Sequence, residues 1–97
     1  MRYEILLAPE AVEDLRALRA YVRGLVLDAI ETHLRHEPTK VSRSRIKRLR
    51  GLSKPQYRLR IDETRVFYDV SHDAVEVLAI VEKSEAESWL ERFGRPE

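Results

Sequence analysis

The chain contains no cysteine among its 97 residues. Disulfide staples and thiolate chemistry are therefore excluded, and the core must hold the fold without cross-links. Only three glycines and four prolines occur. No linker, low-complexity tract or internal repeat divides the chain, so one domain over residues 1–97 is expected. No apolar run is long enough to span a bilayer, and no N-terminal stretch resembles a secretory signal. The expected setting is cytoplasmic, with no membrane partner. No phosphate-cradling glycine loop, Ser-His-Asp arrangement or carboxylate pair stands out. His33 and His36 lie three residues apart but lack an identifiable third ligand, so no metal and no cofactor is expected.

What the chain does have is charge, unevenly placed. Its 18 basic and 17 acidic side chains nearly cancel. Between Lys40 and Arg65, however, stand ten basic residues against only Asp62 and Glu63. That window carries +8 and the remainder −7. Clustered Lys and Arg gain affinity for a phosphate backbone by releasing its counterions, so this separation of sign points to a nucleic acid.

Apolar periodicity supplies the elements. Tyr3, Ile5 and Leu7 alternate as in a strand. Pro9, followed by Glu10, Glu13 and Asp14, marks a helix start, where proline fits the first turn and acids suit the macrodipole. Ala11, Leu15, Leu18, Val22, Leu25 or Val26, Ile30 and Leu34 then recur at helical spacing. One helix of about 27 residues would be roughly 40 Å long, too long for this domain. A break between Arg19 and Gly24 is expected, giving two helices that end at Pro38-Thr39. Ile46–Leu49 is either a short edge strand or an irregular run.

The clearest pattern follows. Tyr57, Leu59 and Ile61 fall on one strand face, Arg58 and Arg60 on the other. A polar connector, Asp62-Glu63-Thr64, leads to a second strand from Arg65 to Val70, forming an antiparallel hairpin. After a turn at Ser71–Asp73, Ala74–Val81 is apolar enough for a central strand covered on both faces. Ser84 and Glu87 have capping-box spacing, and Ala86, Trp89, Leu90 and Phe93 give a last helix its apolar stripe. The expected fold is α+β: two N-terminal helices packed on a small antiparallel-rich sheet, in the order β-α-α-β-β-β-α.

The Lys-Arg-Leu-Arg-Gly-Leu segment from Lys47, Tyr57-Arg58-Leu59-Arg60 and Thr64-Arg65-Val66-Phe67-Tyr68 resemble the RelE/ParE superfamily of bacterial toxins, closer to RelE. The resemblance implies a toxin neutralised by a cognate antitoxin, with operator DNA bound only through the antitoxin complex. RelE-like members cleave mRNA in the ribosomal A site without a metal; ParE-like members inhibit DNA gyrase and are not enzymes. On the RelE pattern, Arg58, Arg60, Arg65 and Lys83 are the expected catalytic residues. Lys47, Arg48, Arg50, Lys54, Tyr57 and Tyr68 are the expected RNA contacts. The departure lies at the C-terminus, where the family usually has a further arginine and a tyrosine. Here Lys83 is the only cation between Val81 and Leu90, and Trp89 or Leu90 stands where the tyrosine would be.

Overall fold

The computed structural model describes residues 1–97. Strand β1 (Glu4–Leu7) leads into helices α1 (Pro9–Ala17) and α2 (Ala20–Ala29), the latter extended by one wide turn, Ile30–Leu34. Strands β2 (Ile46–Arg48), β3 (Leu52–Lys54), β4 (Tyr57–Ile61), β5 (Thr64–Val70) and β6 (Ala74–Glu82) follow, then helix α3 (Lys83–Phe93) and a two-residue strand β7 (Arg95–Pro96). The main sheet has the order β1-β6-β5-β4-β2. Its pairs are antiparallel except β1 with β6, which are parallel and joined through the helices and the other strands. Of the two readings of Ile46–Leu49, the edge strand is the one realised.

The helical break falls at Leu18–Arg19, just before the expected window, and Gly24 lies inside α2. Leu18 and Arg19 are both extended, with ψ near 147° and 149°. The cause is Arg23. Its guanidinium donates to the carbonyls of Leu18 (2.7 Å), Leu15 (3.1 Å) and Arg16 (3.1 Å). The Leu15 carbonyl also accepts the Leu18 N–H at 3.3 Å, while those of Arg16 and Leu18 lie where a terminated helix leaves acceptors without intrahelical donors. A cation from the next helix thus stabilises the break that a glycine did not make.

The apolar stripe read from the sequence is the core. Ala11, Val26, Ile30 and Leu34 from the helices meet Leu59, Ile61, Val66, Tyr68, Val75, Val77 and Ile80 from the sheet. At about 25 cal/mol per Å² of apolar surface removed from water, this packing dominates the stability of the fold. The opposite sheet face carries a smaller cluster, Leu49, Phe67 and Ala79, covered by α3. There Trp89 stacks on Phe67 with ring centroids 5.1 Å apart.

Helix α3 begins at Lys83, one residue before the expected cap, and no side chain caps it. Lys83 N–H donates instead to the Glu63 carbonyl in the β4–β5 turn, at 2.7 Å. Tertiary contact thus replaces the Ser84/Glu87 capping box. At the far end, Gly94 N–H donates to the Leu90 carbonyl at 2.8 Å. A Cβ on Gly94 would lie 2.5 Å from that same oxygen, so glycine is required for the close approach. The chain then pairs with β3, and Glu97 N–H donates to the Gly51 carbonyl (3.2 Å), strapping α3 across the sheet.

Candidate nucleic-acid interface

Register decides which cations share a face. Cross-strand partners in a sheet project to the same side. Arg60 stands opposite Arg65 and Arg58 opposite Phe67. Lys47 of β2 stands opposite Arg58. Lys47, Arg58, Arg60 and Arg65 therefore lie on one face, the face that carries Phe67 and α3, with the cations toward the β2 edge and the β4–β5 turn. The turn is a two-residue loop, Asp62-Glu63, with Thr64 already in β5 and paired with Ile61. Asp62 adopts φ 50°, a left-handed conformation that aspartate tolerates.

The three arginines differ in environment. Arg60 is exposed. Arg65 is buried, and its guanidinium donates to the carbonyls of Asp62 (2.8 Å) and Thr64 (3.0 Å). Arg58 is half-buried, and its Nε has no hydrogen-bond partner. No carboxylate lies in ion-pair contact with any of the three or with Lys47. Burial, followed by the charges of Arg65 and Arg60, pulls the Arg58 pKa down. Burial, then Arg60, does the same to Arg65, with Glu63 opposing. A guanidinium stays protonated regardless, so the cluster holds like charges close together with no ion pair, only Glu63 opposing from nearby. An anion placed among them relieves that repulsion.

The other sequence-proposed contacts separate. Tyr68 is corrected: it is fully buried, and its hydroxyl donates to the Pro38 carbonyl at 2.6 Å. Burial, with Tyr57 adding to it, pushes its pKa far above the ordinary phenol range. A side chain sealed between sheet and helices cannot touch RNA. Tyr57 projects to the same helix-side face and stacks on Tyr68 with centroids 5.5 Å apart, so it too leaves the cationic face. Arg48, opposite Tyr57, lies over that ring at 5.4 Å and donates to the carbonyls of Leu49 and Gln56, closing the β2–β4 loop. Lys54 sits 3.9 Å from carboxylate oxygens of both Asp69 and Glu76. It is thus held at the opposite end of the sheet by acids. Arg50 is exposed in the turn after β2. Lys83 lies at the β4–β5 end of the sheet, in an open cleft of about 420 Å³ shared with Glu63, Glu82 and Ser84.

Proton carriers are scarce beside the arginines. His72 is exposed in the β5–β6 turn, at the end of β5 remote from Arg65. His36 faces the Met1 carbonyl at 3.4 Å. No three His, Asp or Glu side chains stand close enough to hold a metal ion. The sequence pattern had no means of assigning Lys47 to the arginine face, because its register depends on the β2–β4 loop.

Residues 5–87 match the family model described as the ParE toxin of type II toxin–antitoxin systems, parDE. A comparison with curated protein sequences returned no match. Solved structures with the same fold include an arginine double mutant of the E. coli toxin RelE in the free state, at 20% identity and a TM-score of 0.70, covering 96% of this chain and 99% of that one. The archaeal RelE–RelB complex from Pyrococcus horikoshii matches at 22% identity and a TM-score of 0.70, covering 86% and 97%. The toxin–antitoxin complex RelBE2 from Mycobacterium tuberculosis matches at 23% identity and a TM-score of 0.69, covering 84% and 99%.

Proposed function

The chain belongs to the ParE toxin family of type II toxin–antitoxin systems, and we propose that within it this toxin is a metal-independent endoribonuclease acting on mRNA in the ribosomal A site. The observation that carries the reading is the set Lys47, Arg58, Arg60 and Arg65: four cations on one sheet face, none paired with a carboxylate.

Cleavage by a neighbouring 2′-hydroxyl makes limited demands. O2′ attacks phosphorus, the P–O5′ bond breaks, one proton leaves O2′ and another reaches O5′. Negative charge builds on the phosphate oxygens as this happens, and cations fixed in advance lower that barrier. Arg65 is held by its two backbone carbonyls, and Arg58 is fixed by burial; both are preorganised for this role. Arg60, exposed, engages the entering strand. Guanidinium cannot give up its proton, so within this set the Lys47 ammonium is the donor for the proton that reaches O5′, and solvent water takes the proton that leaves O2′. Lys83, at the turn end of the sheet, is a further cation for the leaving side. Arg50 adds a phosphate contact at the rim.

The relatives solved with RelB lead to a matching partner here, a cognate antitoxin. Tyr21 (76% exposed) and Leu27 on α2, with Leu6 on the edge strand β1, offer apolar surface for an amphipathic helix or an added strand. No helix is long and apolar enough to cross a membrane, and the proposed site of action is the cytoplasm.

One observation favours a second reading. No histidine or tyrosine shares the arginine face, as expected of a ParE-like inhibitor of DNA gyrase that performs no acid–base chemistry. Brief induction, with mapping of transcript 5′ ends alongside DNA-break markers, separates the two. In-frame mRNA cuts support the ribonuclease; double-strand breaks with intact messages overturn it in favour of gyrase.

A further inference from the structure

We propose that the cationic face continues around the β2 edge into a second phosphate site, built from Arg45, His33, Thr32 and Ser42, so that this protein grips an RNA strand at two separated points. The inference rests on the RNA reading for the identity of its ligand, but on different residues.

Arg45 immediately precedes β2. Its carbonyl accepts the Arg60 N–H at 2.9 Å, so the two backbones are adjacent at the sheet edge. The Arg45 side chain, however, lines a pocket of about 230 Å³ on the helical side, with Thr32 and His33 from the wide turn after α2, and Ser42 and Ile46 from the approach to β2. Glu37 and Lys40 complete the wall and pair with each other at 3.6 Å, so that carboxylate is already engaged. Arg45 has no carboxylate in ion-pair contact, and its guanidinium makes no hydrogen bond. His33 is half-buried beside it. Ser42 Oγ accepts the N–H groups of Arg45 (3.0 Å) and Ile46 (3.2 Å), which fixes the loop and leaves its own hydrogen free to donate. A guanidinium, an imidazole and two hydroxyls around a pocket of this size form a donor set for one phosphate group.

The wider charge pattern agrees. Of the ten cations from Lys40 to Arg65, only Lys40 and Lys54 form ion pairs; the other eight have no carboxylate in contact. Arg43 and Arg45 belong to that unpaired set, and Arg45 joins the pocket wall to the backbone of Arg60. A strand seated on Arg58, Arg60 and Arg65 therefore meets uncompensated positive charge as it leaves over the β2 edge. A very short RNA reaches one site, and a longer one reaches both.

The test uses the full-length toxin and fluorescent 2′-O-methyl oligouridylates, which resist cleavage, about four and about twelve nucleotides long. Bridging two sites raises effective concentration, so the wild type should bind the longer probe by at least about tenfold more tightly than the shorter. Arg45→Ala, and separately Arg45→Glu, should remove most of that length advantage while leaving affinity for the short probe unchanged. Arg60→Gln should weaken both probes. An undiminished length advantage in Arg45→Glu overturns the second site while leaving the first intact. Failure of the wild type to bind the short probe overturns the RNA reading and this inference with it.

Discussion

Replacing Tyr68 by phenylalanine separates structure from recognition at the residue where the two were most easily confused. The substitution removes one oxygen. The ring and its stacking on Tyr57 at 5.5 Å stay. What is lost is the 2.6 Å hydrogen bond to the Pro38 carbonyl, which joins the sheet to the segment following the helices across 30 residues. Phenylalanine cannot donate, and Tyr68 is fully buried, so the carbonyl is left without this partner away from water. Such a loss costs about 1–3 kcal/mol. For a domain of this size each kcal/mol lowers Tm by about 4–8 °C, so Tm should fall by roughly 5–20 °C. Circular dichroism melts of wild type and Tyr68→Phe, followed by RNA binding at a temperature where both are folded, make the measurement. The expected result is a lower Tm with unchanged affinity. An unchanged Tm with lost binding would refute the burial argument and return Tyr68 to the RNA surface.

Arg60 and Arg65 should part company in the same kind of experiment. Arg60→Ala, at an exposed position, should change stability by no more than about 0.5 kcal/mol, whereas Arg65→Ala strips the Asp62 and Thr64 carbonyls of their donor and should cost about 1–3 kcal/mol; urea midpoints distinguish them, and both should relieve growth arrest at matched soluble expression. His33 gives a pH signature. Burial, then Arg45, holds its imidazole below the ordinary 6.5. The unfolded chain therefore takes up that proton first on acidification, and its contribution to stability is lost as pH falls below 6.5 toward the lower folded-state value. His33→Gln should show a smaller fall in urea midpoint than wild type between about pH 7.5 and about pH 5.5, and an identical fall would contradict the assignment.

The hairpin was legible because period-two alternation is local: the split of Tyr57, Leu59 and Ile61 from Arg58 and Arg60 is what the sheet shows. The helical stripe from Ala11 to Leu34 was legible for the same reason, since one apolar face must be buried. Misplaced features depend on partners distant in sequence. The helix break is set by Arg23 reaching back to the end of α1, and the start of α3 by the Glu63 carbonyl. Neither leaves a mark in a local window. Alternation already set Tyr57 with Leu59 and Ile61, away from the arginines; for Tyr68 only its pairing with Tyr57 across the hairpin shows that it too faces the helices. Lys54 reads as one more member of a basic run until the fold sets Asp69 and Glu76 beside it. Burial, first of all, holds the Asp69 carboxyl above the ordinary carboxylate range.

In the proposed mechanism the cationic sheet face binds phosphates directly. The salt dependence of RNA affinity tests it without reference to toxicity. For single strands, each phosphate contact contributes about 0.7 to the slope of log affinity against log salt concentration. Arg58→Gln/Arg60→Gln should lower the magnitude of that slope by about 1.4 relative to wild type. A double variant that remains folded and keeps the wild-type slope would contradict the account.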